Sequence, residues 1–256
     1  MIACRAYADE ILNSVTGYGH LAVISIGEDP ASQSYIRGKK KDCERVGFGF
    51  SHYAFKDGDP EEEIASCIAR LNRDPDVTGI ILQLPVPDGY DAEWLAGMIA
   101  KDKDVDGLRE GSPFTPCTPE GIVYLLKKEI GELTGKHAVI IGRGKLVGKP
   151  LAKMLLAEDM TVTVCHSKTS LKTLYRLTSK ADAVVVAAGV PQYFEFGCED
   201  IKPNAVVVDC GVHRTADGKL CGDVHYSYSD YCTPVPGGVG LLTRAMLIKH
   251  VERDDG

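Results

Sequence analysis

One segment, HAVIIGRGKLVGKP at 137–150, constrains the fold of this chain more than any other. Its apolar, β-branched run predicts a buried strand, and Gly142, Gly144 and Gly148 follow where a helix is predicted to begin. Glycine permits a tight turn and lets the backbone approach phosphates, and the first turn of a helix offers free N–H groups. The segment therefore indicates a pyrophosphate site. The alternative is an ordinary glycine-rich turn between a strand and a helix.

Strand-like apolar runs alternate with helical patterns along the chain. The strands are predicted at 21–27, 50–55, 78–83, 137–141, 161–165, 183–188 and 205–209. The helices are predicted at 4–14, 32–46, 60–71, 91–100, 118–128, 147–157 and 171–178, with a last helix ending near 251. Ser32 is the expected N-cap of the second helix and Gly47 its expected end. The alternation predicts α/β units with parallel strands, and the valine runs of the second half indicate a doubly wound sheet.

Composition limits the partners of the chain. Its 256 residues can form two modest cores, and its formal net charge of -7 argues against nucleic acid or an anionic membrane as the main partner. No apolar run approaches the ~18 residues of a membrane-spanning helix. Arg5, Asp9 and Glu10 lie where a secretory signal needs an apolar core. We therefore expect a cytoplasmic protein that handles small molecules.

The nine cysteines are odd in number and include no C-x-x-C pair. They stand at positions 4, 43, 67, 117, 165, 198, 210, 221 and 232. This pattern indicates neither a zinc site nor a disulfide framework, so we expect buried free thiols and no metal. The alternative is a thiol redox sensor.

The segment after the second strand of the glycine-containing half bears on the choice of nucleotide. An NAD-binding domain is expected to place an acidic residue there for the ribose 2′-hydroxyl. The sequence instead has CHSKT at 165–169, so no carboxylate repels a 2′-phosphate, and Arg143 and Lys168 could pair with one. NADP is therefore favoured over NAD, although Lys168 alone could equally be a solvated loop residue.

Tyr35 and Lys39 are four residues apart on a predicted helix and therefore share one face. A lysine in an apolar cleft can titrate below its ordinary pKa and exchange protons near neutrality. The bland alternative is a packed ring beside a solvated amine. The same spacing is typical of short-chain dehydrogenases, but their glycine turn precedes the tyrosine–lysine helix, and here the order is reversed.

Gln83 and Asp106 each follow an apolar run, where open α/β folds place ligand groups. An exposed turn carboxylate is the alternative for Asp106. The segment PVPGGVG at 234–240 is rigid at its prolines and bare at its glycines, so its backbone could approach a flat ligand closely. A plain linker between domains is the alternative for that segment.

Taken together, these motifs resemble the bifunctional methylenetetrahydrofolate dehydrogenase/cyclohydrolase family. The matching segments are DPAS at 29–32 with Tyr35 and Lys39, QLPVP at 83–87, KDVDG at 103–107, PCTP at 116–119, GRGKLVGKP at 142–150, CHSKT at 165–169, GDV at 222–224 and TPVPGGVG at 233–240. They occur in the order of the family and cover nearly the whole chain. The sequence departs from the family pattern at Gly144, where many members have serine, and at Leu241 and Leu242, which replace Pro-Met.

The resemblance implies an α/β fold with two domains and a cleft between them. Residues 1–119 would form a folate-binding catalytic domain, with the C-terminal helix at 241–256 packing back on it. Residues 120–240 would form a doubly wound, Rossmann-type NADP-binding domain. The implied partners are tetrahydrofolate derivatives, NADP and a second copy in a homodimer, with no nucleic acid and no membrane.

The resemblance also implies the roles of individual residues. Tyr35 would stack on the folate, Lys39 would handle protons, Gln83 would orient Lys39, and Asp106 would anchor the pterin. The other expected substrate contacts are Leu84, Pro85, Pro236, Gly237 and Gly238. The expected cofactor contacts are Gly142, Arg143, Gly144, Val147, Gly148, His166, Ser167, Lys168, Thr169, Ala188, Gly189, Gly211, Val212 and Thr243.

The implied reaction is the NADP-dependent oxidation of 5,10-methylenetetrahydrofolate to the 5,10-methenyl form, followed by hydrolysis to 10-formyltetrahydrofolate. Alignment of donor and acceptor serves the first step, and proton transfer serves the second. Two alternatives stay open: a dehydrogenase that has lost the hydrolytic step, and a silent NADP-binding protein.

Overall fold

A computed structural model describes residues 1–197, 199–225 and 231–254, and its chain divides into two compact units. We call the first the lysine unit; it comprises Asp9–Cys117 and Arg244–Gly256. The second, the glycine-turn unit, comprises Met1–Ala8 and Thr118–Thr243. Cys198 and residues 255–256 lie outside the described residues.

The strands of the lysine unit are β1 (His20–Ile26), β2 (Gly49–Phe55) and β3 (Gly79–Leu82), and they form a parallel sheet of order β2-β1-β3. Its helices include α2 (Pro30–Val46), α3 (Glu61–Arg73) and α4 (Ala92–Gly97), with a 3-10 turn at Lys101–Lys103. Helix α1 (Cys4–Asn13) begins in the other unit. The core lies where one face of this sheet packs on α3, because the apolar side of α3 is fully buried there.

The main strands of the glycine-turn unit are β4 (His137–Ile141), β5 (Thr161–Cys165), β6 (Ala183–Val186) and β8 (Val206–Asp209), and they form a parallel sheet of order β5-β4-β6-β8. The unit also has the two-residue strands β7 (Phe194–Glu195), β9 (His213–Arg214), β10 (Leu220–Cys221) and β11 (Val224–His225). Its helices are α5 (Cys117–Ile130), α6 (Gly148–Ala157), α7 (Leu171–Thr178) and the first part of α8 (Val239–Val251). The valine runs of β6 and β8 are buried throughout, as expected of a sheet covered on both faces. The predicted α/β class with parallel sheets is confirmed.

The ends of α2 show one prediction confirmed and one wrong. Gly47 ends the helix in the left-handed conformation, with φ of 79°. The N-cap is Asp29 rather than Ser32, because the Asp29 carboxylate accepts a hydrogen bond of 2.7 Å from the Ser32 backbone N–H. Pro30 then takes the first helical position, where its missing N–H costs nothing.

Several predicted elements are shorter or shifted. The strand predicted at 183–188 ends at Val186, and the helix predicted at 91–100 ends at Gly97.

In the part of the chain that the structure describes, no helix is long and apolar enough to cross a membrane. The described residues also contain no group of three His, Cys, Asp or Glu side chains that could hold a metal ion.

Gly142 and Gly144 provide a matched test of the glycine turn. Gly142 has φ of 126°, and a Cβ there would collide with the Ala187 carbonyl, whereas a Cβ at Gly144 meets nothing within 4 Å. We expect Gly142→Ala to lower the free energy of unfolding by about 2 kcal/mol or more, and Gly144→Ala to leave it nearly unchanged. Thermal unfolding followed by circular dichroism measures both. Equal midpoints for the two variants would contradict the backbone constraint at Gly142.

Candidate functional site

Lys39 lies on the buried face of α2, with 9% of its surface exposed. The same face carries Ser32, Ile36 and Cys43, because residues three or four apart stack along a helix. The Lys39 Nζ donates a hydrogen bond of 2.9 Å to Oε1 of Gln83. The structure therefore brings together two residues that are 44 positions apart in the sequence.

Gln83 is held in one orientation by its own neighbours. It follows β3 directly, and its backbone N–H donates to the Ile24 carbonyl at 2.8 Å. Its side-chain Nε2 donates to the Leu84 carbonyl at 2.8 Å, which leaves Oε1 as the atom that accepts from Lys39. Leu84 is half-buried, Pro85 is exposed, and the peptide bond between them is cis.

The charge on Lys39 is opposed mainly by its burial. Burial lowers the pKa of Lys39 from its ordinary value, while the negative charge of Asp106 acts to raise it and the positive charge of Arg244 lowers it further. A lysine with a lowered pKa can exchange a proton nearer to neutral pH than a solvated lysine can. The Lys39 amine is therefore suited to acid and base chemistry.

Asp106 lies on a tight turn whose charged residues have separate tasks. The buried Lys103 Nζ donates to the carbonyls of Leu71 and Asp74 at the end of α3, at 3.0 and 2.5 Å. The buried Asp104 carboxylate accepts from the Arg109 backbone N–H at 2.9 Å. Asp106 is half-buried and is the carboxylate whose charge acts on Lys39. Two members of the KDVDG motif thus hold the turn, and the third is left for the site.

Tyr35 lies one turn before Lys39 and is half-buried. Burial raises the pKa of its hydroxyl, and the Arg244 charge lowers it in part. A neutral, partly exposed ring of this kind offers a flat surface for stacking. The structure therefore places all four predicted catalytic residues within the lysine unit: Lys39, Tyr35, Gln83 and Asp106.

All the predicted cofactor residues except Thr243, which lies on α8, collect at one edge of the other unit's sheet. They follow the carboxyl ends of β4, β5, β6 and β8, where parallel α/β sheets bind ligands. In that order they are Gly142 to Gly148, His166 to Thr169, Ala188 with Gly189, and Gly211 with Val212. Residues that are spread over 71 positions of the sequence therefore lie together at one edge of the sheet.

Two of the three glycines in the glycine turn have no space for a side chain. A Cβ at Gly142 would strike the Ala187 carbonyl, and a Cβ at Gly148 would strike the Gly142 carbonyl. Helix α6 begins at Gly148 after Val147, and among the described residues no side chain forms a capping hydrogen bond there. The bare turn and the helix start fit a phosphate group. Arg143 and Gly144 are exposed beside them.

The turn after β5 is closed by its own hydrogen bonds. Thr169 Oγ1 accepts from the His166 N–H at 3.0 Å, and the His166 carbonyl accepts from the Thr169 N–H at 2.7 Å. The Lys168 backbone N–H donates a hydrogen bond to Nδ1 of His166 at 3.2 Å. Ser167 and Lys168 are exposed.

Two buried carboxylates, which carried no role in the sequence interpretation, order the remaining loops. Asp223 is fully buried and accepts hydrogen bonds from the backbone N–H groups of Ala188, Gly189 and Val190 at 2.8 to 3.0 Å, and from His213 Nε2 at 2.7 Å.

Asp209 accepts hydrogen bonds from the backbone N–H groups of Gly211, Asp223 and Val224 at 2.9 to 3.0 Å. Burial raises the pKa of Asp209, and these three donors partly offset that effect. An aspartate that ends a valine-rich strand was the available signal for Asp209.

The segment 233–243 combines rigid and bare residues. Pro236 is exposed after a cis peptide bond, Gly237 has φ of 97°, and a Cβ at Gly238 would collide with the Pro234 carbonyl. Thr243 Oγ1 donates to the Val239 carbonyl at 3.1 Å and lies 3.0 Å from Thr118 Oγ1. All of these residues lie in the glycine-turn unit.

The described cysteines form no disulfide with one another, and all but the half-buried Cys210 are buried. Burial raises the pKa of Cys4 to about 11 and that of Cys43 to about 12, and it also raises the pKa of Cys165 and Cys210. Buried thiols with raised pKa values react slowly with oxidants. The thiol redox sensor is therefore disfavoured for these positions, and Cys198 lies outside the described residues.

Two family profiles cover most of the chain. Residues 4–106 match the tetrahydrofolate dehydrogenase/cyclohydrolase catalytic domain, and residues 116–254 match the NAD(P)-binding domain of the same family. Bifunctional protein FolD of Bacillus subtilis is 46% identical over 240 residues, which is 89% of this chain and 83% of the relative. Bifunctional protein FolD of Agathobacter rectalis is 44% identical over 245 residues, covering 91% and 86% of the two chains.

Solved structures agree with the sequence relatives. Bifunctional FolD methylenetetrahydrofolate dehydrogenase/cyclohydrolase from Campylobacter jejuni has a TM-score of 0.87 and 37% identity, with 97% of this chain and 95% of that one covered. The Trypanosoma brucei enzyme, solved with NADP and an inhibitor, has a TM-score of 0.86 and 32% identity, with coverages of 97% and 93%. With both halves matched, this chain belongs to the tetrahydrofolate dehydrogenase/cyclohydrolase family.

Proposed function

We propose that this protein oxidises 5,10-methylenetetrahydrofolate with NADP and hydrolyses the product, 5,10-methenyltetrahydrofolate, to 10-formyltetrahydrofolate. One observation carries the proposal. The buried Lys39 amine lies 2.9 Å from the oriented Gln83 amide, and the negative charge of Asp106 acts on it. Hydride transfer itself moves no proton, whereas the hydrolytic step does, so an amine held in this way favours the second activity. Membership of the family and the relatives named as bifunctional support both activities.

The hydrolytic step needs one group that both accepts and delivers a proton. Water adds to the methenyl carbon, the bond from that carbon to N5 breaks, and one proton is released overall. The neutral Lys39 amine accepts a proton from the attacking water, and the resulting ammonium delivers it to the departing nitrogen. Gln83 Oε1 accepts a hydrogen bond from Lys39 in both protonation states, so it keeps the amine directed as its charge changes.

The substrate side of the reaction is assigned mainly to the lysine unit. Tyr35 offers a ring on which the folate stacks, and Asp106 accepts hydrogen bonds from the pterin. Leu84 and Pro85 are assigned to the same surface because they follow Gln83 directly. We also assign Pro236, Gly237 and Gly238 to substrate contacts, because their backbone is rigid and bare enough for close approach.

The glycine-turn unit is assigned to NADP. When bound, NADP supplies the acceptor for the hydride that leaves the methylene carbon. The bare backbone of Gly142, Gly144, Val147 and Gly148 would hold the pyrophosphate at the start of α6. The 2′-phosphate is assigned to Arg143, Ser167 and Lys168, on the turn that His166 and Thr169 close. The remaining cofactor contacts are assigned to Ala188, Gly189, Gly211, Val212 and Thr243.

Replacing Lys39 tests the hydrolytic assignment. We expect Lys39→Met to slow hydrolysis of supplied methenyltetrahydrofolate by about 100-fold or more, because the proton-exchanging group is lost. NADP affinity is expected to be unchanged. The thermal midpoint is expected to stay the same or rise, because methionine removes the cost of burying a charge. Absorbance of the methenyl form and a thermal scan measure these effects.

Lys40→Met is the matched control, because Lys40 is adjacent in sequence but exposed and pairs only loosely with Glu44 at 3.8 Å. We expect it to keep hydrolysis within about twofold of the wild type. Normal hydrolysis by Lys39→Met would show that Lys39 is misassigned.

Two exposed cations test the choice of nucleotide. We expect Arg143→Ala and Lys168→Ala each to raise the KM for NADP about tenfold, and to leave the KM for NAD nearly unchanged, because only NADP carries the 2′-phosphate. Lys180→Ala is the control, since Lys180 precedes β6 at the opposite edge of the sheet. Initial rates of cofactor reduction give the KM values for NADP and NAD of each variant and of the wild type. Parallel losses with NAD and NADP would refute the 2′-phosphate assignment.

We further propose that the protein forms a homodimer and acts in the cytoplasm. The edge strand β5 supports an association, because it is unpaired on one side within the described sheet and Val164 on it is 38% exposed. Sedimentation velocity is expected to give about twice the monomer mass of 27.7 kDa. A monomer mass across the micromolar range would contradict the dimer.

A further inference from the structure

An ion pair between two residues that have no assigned role in substrate or cofactor binding lies near Lys39. Arg244, on α8, donates from Nε to Oδ2 of Asp42, on α2, at 2.7 Å. The two side chains are only 21% and 14% exposed, so water screens their charges weakly. Both residues belong to the lysine unit. A partly buried pair of this kind acts on neighbouring charges more strongly than a surface pair does.

Gly38 makes room for the guanidinium. A Cβ at Gly38 would collide with Nη1 of Arg244, so the guanidinium lies directly against the backbone of the residue before Lys39. Tyr35, Gly38 and Asp42 share one face of α2, because they are three and four residues apart, and Lys39 lies at the border of that face. The Arg244 charge is therefore fixed at the edge of the proposed active site.

The charged and titratable groups facing Lys39 come from four parts of the unit. They are Cys43 on α2, Asp106 on the turn before α5, Cys117 at the start of α5 and Arg244 on α8, with the Gln83 amide as hydrogen-bond partner. Among these groups, Arg244 is the one that carries a positive charge. Its effect on the pKa of Lys39 has the same sign as burial and opposes that of Asp106.

We propose that Arg244, held by Asp42 against Gly38, is a positioning residue that favours the neutral amine of Lys39, and that Asp42 limits this effect. The inference rests on the proposed hydrolytic role of Lys39. Asp42 acts by neutralising the guanidinium, and burial raises the pKa of Asp42 while Arg244 keeps it lower. The two partners of one ion pair therefore act on Lys39 in opposite directions.

Opposite signs give a test that a purely structural ion pair would not pass. We expect Arg244→Met to move the pH profile of hydrolysis to higher pH by about 0.5 to 1 unit, and Asp42→Asn to move it to lower pH by a similar amount. Arg244→Lys keeps the charge and is expected to stay near the wild-type profile. The double variant, Arg244→Met with Asp42→Asn, is expected to lie between the two single variants. Rates are measured after subtraction of the enzyme-free hydrolysis.

Titration of Lys39 itself separates this inference from the proposed function. The 13C shift of its Cε, assigned in lysine-labelled protein by its disappearance in Lys39→Met, reports the pKa without any activity. Opposite displacements of that pKa in Arg244→Met and Asp42→Asn support the inference, even if the wild type hydrolyses nothing and the proposed function fails. Displacements of the same sign, or none, overturn it. If Arg244→Met does not fold, Arg244→Gln takes its place, and Asp42→Asn decides the sign alone.

Discussion

The hydrogen bond from Lys39 to Gln83 is the interaction on which the chemistry proposed for this protein depends. An ammonium removed from water is unstable unless it is paired or gives up its proton. In the described structure, the Lys39 amine has the oriented amide of Gln83 as its hydrogen-bond partner. The half-buried carboxylate of Asp106 and the cation of Arg244, which Asp42 holds in place, also act on its charge. Burial and Arg244 favour the neutral amine, while Asp106 favours the ammonium. The surrounding sheet and helices serve to hold those groups at constant separation.

The two units solve their binding problems by different means. In the lysine unit the groups assigned to substrate are side chains, held by the packing of α2, β3 and the turn at 103–107. In the glycine-turn unit the surface assigned to cofactor is largely backbone, and its shape depends on glycines that cannot carry a Cβ and on the buried carboxylates of Asp209 and Asp223. Loss of either aspartate would leave several backbone N–H groups without a partner. Asp209 and Asp223 therefore stabilise the loops at the sheet edge that is assigned to NADP.

Local pattern was enough to predict much of the fold. The parallel strands, the end of α2 at Gly47 and the glycine turn at 142–148 each depend on residues within one or two turns of one another. Tyr35 and Lys39 were predictable because helical spacing relates them. The choice of Asp29 over Ser32 as cap was not, since both are good capping residues three positions apart. The partners Asp223 and Arg244 were also missed, because their contacts join residues 33 and 202 positions apart and leave no local spacing to read.

Helix α8 belongs to both units, with Thr243 in one and Arg244 in the next. The chain therefore cannot be divided at any single peptide bond into two fragments that each hold a complete unit. A recombination event that exchanged the cofactor half between relatives at residue 118 would also exchange the last residues of the lysine unit. Arg244 would then arrive from one parent and Asp42 from the other. A mismatch between the parents at either position would disturb that ion pair, and with it the pH dependence proposed for Lys39.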